Sequence, residues 1–192
     1  MSSECFYTGI GSRVISEEER SIIQRVAGYL LTKGFTLRSG HALGSDEAFE
    51  VGTYDKGNTA KEIYLSNYPE IYIPWKNFKG ANCPTKLISL EDTSSEFVSL
   101  AEDIVKEVHP YWHNLKQGAR KLHTRNVSQV LGQDLNTPSK FLLFCSDESD
   151  KGVVSGGTAT AVNLARKWNI PCFNIRNHTA RELNDFLTPL IT

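Results

Sequence analysis

Three short segments of this chain combine glycines with hydroxyl or charged side chains, a pattern suited to binding phosphate. They are Gly9-Ile10-Gly11-Ser12-Arg13, Ser39-Gly40-His41-Ala42-Leu43-Gly44-Ser45-Asp46 and Ser155-Gly156-Gly157-Thr158-Ala159-Thr160. Glycines let the backbone turn sharply and approach a ligand closely, and a helix that follows offers free N–H groups and a positive dipole end. The segments therefore predict a site for a phosphate-bearing nucleotide or a nucleotide-derived small molecule.

The third segment carries the strongest signal, because it places two glycines and two hydroxyls at the start of a helix. The first segment lacks the GxGxxG spacing of a dinucleotide-binding loop, and a plain tight turn is its alternative interpretation. Its Arg13 can add bidentate contacts to phosphate. The residues predicted to bind the ligand, two of them from a later helix, are Gly9, Gly11, Ser12, Arg13, Ser39, Gly40, Gly44, Ser45, Asp46, Arg125, Asn126, Gly156, Gly157, Thr158 and Thr160.

Asp46 and Glu50 are four residues apart, so both can project from one face of a helix. Carboxylates at this position can hold ribose hydroxyls or act as a general base, which makes both candidate catalytic residues if the protein is a hydrolase. The alternative is that Asp46 only complements the helix dipole, the interpretation favoured for Glu47.

A later segment, RKLHTRN, concentrates basic and polar side chains on a predicted helix. Arg120, His123 and Asn126 lie along one stripe of that helix, and Lys121 and Arg125 lie along the next. Such a cluster can clamp phosphate or line a pocket, and its alternative is a solvated basic helix face.

Apolar runs and amphipathic patterns alternate along the chain and predict the elements that position these residues. The predicted strands are 4–8, 35–39, 61–65, 70–73, 140–145 and 171–175. One predicted helix begins after the Ser16 cap, and a second begins at about residue 44 with Ser45 as its cap. The other predicted helices are 94–108, 118–131, 158–168 and 180–190. This alternation is typical of a Rossmann-like α/β fold with a doubly wound, mostly parallel sheet, where ligands bind outside the carboxyl ends of the strands.

The segment 74–89 is rich in Pro, Gly, Asn and aromatic residues and is predicted to be irregular. Together with two predicted helices it forms an insertion at about 74–133, interpreted as helix and loop added to one domain that spans 1–192. The segment Ser16-Glu17-Glu18-Glu19 has the pattern of a capping box at the start of the first helix.

Bulk properties limit the function classes. The 192 residues carry a net charge of −1, which argues against a strongly basic nucleic-acid surface. The four cysteines form no CxxC pair and fit no zinc signature, so no metal is expected. No cofactor is expected either. No signal peptide or transmembrane run is visible, which predicts a cytoplasmic protein without a membrane partner.

Several motifs taken together resemble the SLOG superfamily, and most closely the phage-type DNA recombination-mediator protein A group, which is DNA-processing protein A-like. The resemblance covers roughly residues 5 to 176. Its motifs are YTGIGSR at 7–13, LRSGHALGSD at 37–46, IPWKNF at 73–78, HTRN at 123–126 with QVLG at 129–132, and GGT at 156–158.

The resemblance implies a Rossmann-like fold and several activities. Relatives in the superfamily include single-stranded DNA binders that load recombinase, sensors of nucleotide signals, and phosphoribohydrolases of the Lonely Guy type. The hydrolases carry a PGGxGTxxE motif, where this chain has Ser155 for the proline, Ala159 for the third glycine and Asn163 for the glutamate. The resemblance also implies a homo-oligomer, and the host cytoplasm as the location if the protein is phage-encoded.

Three functional hypotheses follow. The first in rank is binding of a small nucleotide, such as an immune or signalling molecule that is sensed or sequestered. The alternatives are a single-stranded DNA-binding recombination mediator and an N-glycosidic nucleotide hydrolase. The departure at Asn163 weighs against the hydrolase, although Asp46 or Glu50 could in principle supply the missing carboxylate.

Overall fold

The computed structural model describes residues 5–54, 68–80 and 86–191, and these residues form a six-stranded parallel sheet with helices on both faces. The strands are β1 Cys5–Gly11, β2 Phe35–Ser39, β3 Glu70–Ile73, β4 Leu87–Ser89, β5 Phe141–Cys145 and β6 Cys172–Asn174. The helices are α1 Glu17–Thr32, α2 Ser45–Tyr54, α3 Ser95–Val108, α4 Gln117–Leu131, α5 Gly156–Lys167 and α6 Ala180–Leu187. Short 3-10 turns lie at Leu90–Asp92, Trp112–Asn114 and Thr188–Leu190. The predicted Rossmann-like α/β fold is confirmed.

Local sequence signals fix several helix ends. Ser16 and Glu19 form the predicted capping box at the start of α1, and Thr179 and Glu182 form a second one at α6. At the end of α4, Gly132 has a φ of 80°, a conformation that favours glycine. These caps confirm the predicted ends of three helices to within one or two residues.

The strand order is β4-β3-β2-β1-β5-β6, so the direction of winding reverses between β1 and β5. The strands are parallel throughout, which places the loops that follow β1, β2 and β5 at one edge of the sheet. In this architecture a crevice opens at the reversal point, outside the carboxyl ends of the two central strands. All three predicted phosphate-binding segments begin at this edge.

The hydrophobic core has two layers because side chains of a strand alternate between the two faces of a sheet. One face packs against α1, α2 and α6, and Phe141, Leu143 and Cys145 of β5 point into that layer. The other face packs against α3, α4 and α5, and Leu142 and Phe144 point into it. The near-continuous apolar run of β5 is thereby explained, since both of its faces are covered.

The insertion differs from its prediction in one element. The segment 74–133 is not only helix and loop, because Leu87–Ser89 pairs with β3 and forms the edge strand β4. Its three residues are too few to give a readable alternation. The predicted strand 61–65 lies outside the described residues. No helix within the described ranges is both long enough and apolar enough to cross a bilayer.

Candidate functional site

A crevice of about 470 Å³ lies at the edge of the sheet where β1 and β5 end. Loops after β1, β2 and β5 form its floor and one wall, and α4 and the start of α5 form the opposite wall. Its lining consists of Ile10, Gly11, Ser12, Arg13, Ala42, Asp46, Ala119, Leu122, His123, Arg125, Asn126, Ser146, Asp147, Ser155, Gly156, Gly157 and Thr158. The volume falls in the range of small-molecule sites.

The start of α5 presents an open helix N-terminus to this crevice. The side chain of its N-cap, Ser155, makes no hydrogen bond to the first turn, so the leading N–H groups have no side-chain cap. Gly156 has a φ of 69°, and an added Cβ at Gly156 or Gly157 would meet no atom within 4 Å. The first turn of α5 is therefore an uncovered cluster of donors at the positive end of a 12-residue helix.

The helices after the other two loops do not offer such a terminus. The amide of Glu19 is capped by Ser16, and three glutamates already occupy the first turn of α1. In α2, the amides of Ser45 and Glu47 donate to backbone carbonyls of the loops. The phosphate contact predicted for the first loop therefore stays a prediction, and the start of its helix is partly capped by Ser16 and carries three glutamates.

The glycines of the first two loops serve close packing. A Cβ at Gly11 would collide with the Cys145 carbonyl and the Ser45 side chain, and one at Gly9 would lie 2.6 Å from the Phe49 ring. Gly44 has a φ of 85°, and its Cα faces the backbone of the first loop. Ser45 is the first residue of α2 and donates its hydroxyl to Ser12 O, so it is not the N-cap that the sequence predicted.

Asp46 lies at the base of the crevice and is 2% exposed. Its carboxylate accepts long hydrogen bonds from the Gly11 amide (3.3 Å) and the Ala42 amide (3.4 Å). Burial raises the pKa of Asp46 to about 6, a change that Arg125 opposes and Glu50 reinforces. The carboxylate is thus ionised at neutral pH, but at a cost in stability.

Arg125 reaches the same position from α4 and is 5% exposed. Its Nη1 lies 3.8 Å from Asp46 Oδ2, and neither Nη1 nor Nε makes a hydrogen bond to any described residue. The guanidinium packs directly on the Cα of Gly40, where any side chain would displace it. Burial lowers the pKa of Arg125 to about 10, so the group stays charged at neutral pH.

Two side chains of α4 hold the wall of the crevice against α5. Asn126 donates to Gly157 O at 2.9 Å, and His123 Nδ1 lies 2.7 Å from Thr160 Oγ1. Burial and the neighbouring His109 and Arg125 lower the pKa of His123 to about 4, so its ring is neutral at pH 7. Asn126 thus fixes the position of the open turn of α5 without covering its N–H groups.

The structure brings some of the predicted binding residues together and not others. Nine line the crevice: Gly11, Ser12, Arg13, Asp46, Arg125, Asn126, Gly156, Gly157 and Thr158. The remaining six lie behind it: Gly9, Ser39, Gly40, Gly44, Ser45 and Thr160. Ser39, for example, donates to the Gly9 carbonyl within the sheet, and Thr160 bonds His123.

The two candidate catalytic carboxylates also separate. Asp46 lines the crevice, whereas Glu50 is buried behind it, 3.0 Å from His41 Nδ1. Asn163, at the position of the hydrolase glutamate, donates to Val108 O and does not line the crevice. Asp46 is therefore the one member of the predicted pair that a ligand in the crevice can contact.

The basic cluster of α4 divides between two surfaces. Arg120 donates to His113 O, and Lys121 pairs with Glu91 at 2.9 Å, both away from the crevice.

Two residues that line the crevice, Ser146 and Asp147, were not predicted from the sequence, although both directly follow β5. Their position directly after the most apolar strand could have predicted them, because ligands bind at the carboxyl ends of central parallel strands.

Arg176 ties three loops together beside the crevice. It pairs with Glu19 at 2.6 Å and Asp147 at 2.8 Å, and donates to Val14 O. Although partial burial raises it, hydrogen bonds from Arg176 and the Ser16 amide lower the pKa of Glu19 to about 2. The stability from this carboxylate is present above pH 4.5 and is lost as pH falls towards 2.

Replacing Arg176 tests how much its ion pairs and hydrogen bonds contribute to stability. We expect Arg176→Gln to lower the free energy of unfolding at pH 7 by about 1–2 kcal/mol, because charge-assisted hydrogen bonds are lost on a partly exposed side chain. Urea unfolding at pH 7 and pH 3 measures this, and the loss should be smaller at pH 3. An equal loss at both pH values would contradict the ion pair as its cause.

Comparisons with known proteins add little beyond the fold. No family model matches the sequence, and no curated protein matches it. A solved structure of DNA processing protein A from Helicobacter pylori, described for its single-stranded DNA binding mode, aligns with 94% of this chain and 81% of that chain. The identity is 17% and the TM-score 0.39, values at which the similarity does not bear on function. Membership of the DNA recombination-mediator A group stays a prediction.

Proposed function

We propose that the crevice binds the phosphate of a nucleotide or nucleotide-derived small molecule. The observation that carries the proposal is the uncapped first turn of α5, which forms part of the crevice wall and has open space above Gly156 and Gly157. Backbone N–H groups at a helix start are suited to phosphate, and the exposed Arg13, whose guanidinium can bind phosphate, lines the same crevice. Binding without chemistry suits a sensor or a protein that sequesters a nucleotide signal.

The proposal is tested by titrating the full chain with adenosine 5′-monophosphate, adenosine and inorganic phosphate in a calorimeter. We expect the monophosphate to bind at least about tenfold more tightly than adenosine, because the nucleoside lacks the charged group. Equal affinity for nucleoside and nucleotide would contradict a phosphate site. Mass spectrometry of the recovered ligand separates binding from hydrolysis, since a hydrolase releases free base and ribose phosphate.

Single-stranded DNA is the second candidate ligand. The observation that favours it is that all three loops carry exposed apolar side chains, Val14, Leu43 and Val153, which are 80%, 55% and 65% exposed. Bases of a strand whose phosphate occupies the crevice could contact these side chains.

A fluorescent oligothymidylate titrated at several salt concentrations separates the candidates. Strand binding through several phosphates predicts a steep fall of the association constant with salt, whereas one bound phosphate predicts a shallow one. If the oligonucleotide fails to compete with the mononucleotide, the DNA hypothesis is excluded for this crevice.

A further inference from the structure

The crevice has two ends of different chemistry. One end is the first turn of α5, which presents backbone N–H donors and the positive end of the helix dipole. The other end is the pair formed by Asp46 and Arg125, in which a buried carboxylate lies 3.8 Å from a buried guanidinium. From the sequence, Asp46 is expected to hold ribose hydroxyls or act as a general base, and Arg125 to clamp phosphate or line a pocket. The geometry of the pair argues against a phosphate at this end.

A phosphate placed on Arg125 would also lie beside the Asp46 carboxylate. Two like charges about 4 Å apart repel by roughly 4 kcal/mol at the effective dielectric constant of a protein site. Arg13 adds a positive group that acts on the same guanidinium, and Glu50, buried behind Asp46, adds a negative one. Two positive and two negative groups therefore balance at this end, which favours a neutral ligand group over a phosphate.

The hydrogen-bonding capacity left at this end defines that group. Arg125 Nε and Nη1 make no hydrogen bond to any described residue, and they need acceptors. Each oxygen of Asp46 accepts one long hydrogen bond, from Gly11 or Ala42, and can accept another. A group with O–H donors and free lone pairs satisfies both side chains at once.

We infer that the Asp46–Arg125 end binds the vicinal 2′- and 3′-hydroxyls of a ribose, so that the ligand is a ribonucleotide. The inference rests on the proposed phosphate site at α5, which anchors the other end of the same molecule. The hydroxyls donate to Asp46 and accept from Arg125. A deoxyribose leaves part of this buried polar pair without partners and binds more weakly.

The test compares adenosine 5′-monophosphate with its 2′-deoxy and 2′,3′-dideoxy analogues by calorimetry on the full chain. We expect the ribonucleotide to bind at least about tenfold more tightly than the dideoxy analogue, as hydrogen bonds to charged groups predict. In Asp46→Asn this ratio should fall below about threefold, because the amide cannot accept from both hydroxyls.

Glu47→Gln is the matched control, since Glu47 is the neighbouring carboxylate in the first turn of α2 but pairs with Arg20 and does not line the crevice. The ratio should be unchanged in this variant. Equal binding of the three nucleotides to the wild-type chain would overturn the ribose inference while leaving the phosphate proposal intact. Absence of binding by all three would overturn both. A ratio that survives in Asp46→Asn, with the variant folded by circular dichroism, would also overturn the inference.

Discussion

Asp46→Asn is expected to stabilise the protein by about 2 kcal/mol at pH 7.5. The pKa of this carboxylate rises from its ordinary 3.8 to about 6 on folding, which corresponds to a cost of about 3 kcal/mol once the group is ionised in both states. The amide removes that cost but loses one of the two backbone hydrogen bonds to the carboxylate, which offsets about 1 kcal/mol. A side chain that weakens the fold in this way is typical of a binding site.

The pH dependence gives the sign of the effect. Between pH 4 and pH 6 the folded state binds more protons at Asp46 than the unfolded state does, so this group lowers stability as pH rises. Urea unfolding of wild type and Asp46→Asn should therefore give similar free energies near pH 4 and diverge up to pH 7. A variant that is less stable at pH 7.5 would show that the Asp46–Arg125 attraction outweighs burial.

Gly157→Asp is expected to weaken nucleotide binding by at least about thirtyfold while preserving the fold. The new carboxylate would stand in open space at the start of α5 and repel a phosphate there by roughly 2 kcal/mol or more. The same charge interacts favourably with the helix dipole, so stability should stay constant or rise by about 0.3–1 kcal/mol. Loss of binding without loss of stability separates a ligand contact from a folding defect.

Gly118→Asp is the matched control for that variant. Gly118 is the second residue of α4, as Gly157 is of α5, and an added Cβ would also meet nothing within 4 Å. Gly118 does not line the crevice, so its aspartate should stabilise the helix to a similar extent and leave affinity within about threefold. Equal losses of affinity in both variants would show that overall charge, and not the α5 terminus, controls binding.

The fold followed from sequence because its signals are local. The apolar run of β5 and the capping box at Ser16 each depend on residues within one turn or one strand. The edge strand β4 was not predicted, because three residues are too few to show the alternation typical of a strand. It is formed by pairing with β3, which is not a local feature of the sequence. The reversal between β1 and β5 placed the first and third loops at one crevice, as expected for a doubly wound sheet.

Only part of the site could be predicted from the sequence, because glycines have more than one structural role. Gly157 stands in open space at a helix start, whereas Gly40 makes room for the buried guanidinium of Arg125 from α4. The sequence pattern is the same in both cases, and only the packing of α4 on the sheet distinguishes them. The capping box at Ser16 was visible in the sequence, and the structure shows it at the start of the first helix.

Amide chemical shifts report directly whether the first turn of α5 binds phosphate. The ¹⁵N-labelled chain is titrated with adenosine 5′-monophosphate and, separately, with adenosine. We expect the largest shifts caused by the phosphate to fall on the amides of Gly156, Gly157 and Thr158, with adenosine alone leaving them nearly unchanged. Shifts centred instead on the basic surface of Arg120 and Lys121, with α5 unaffected, would contradict it.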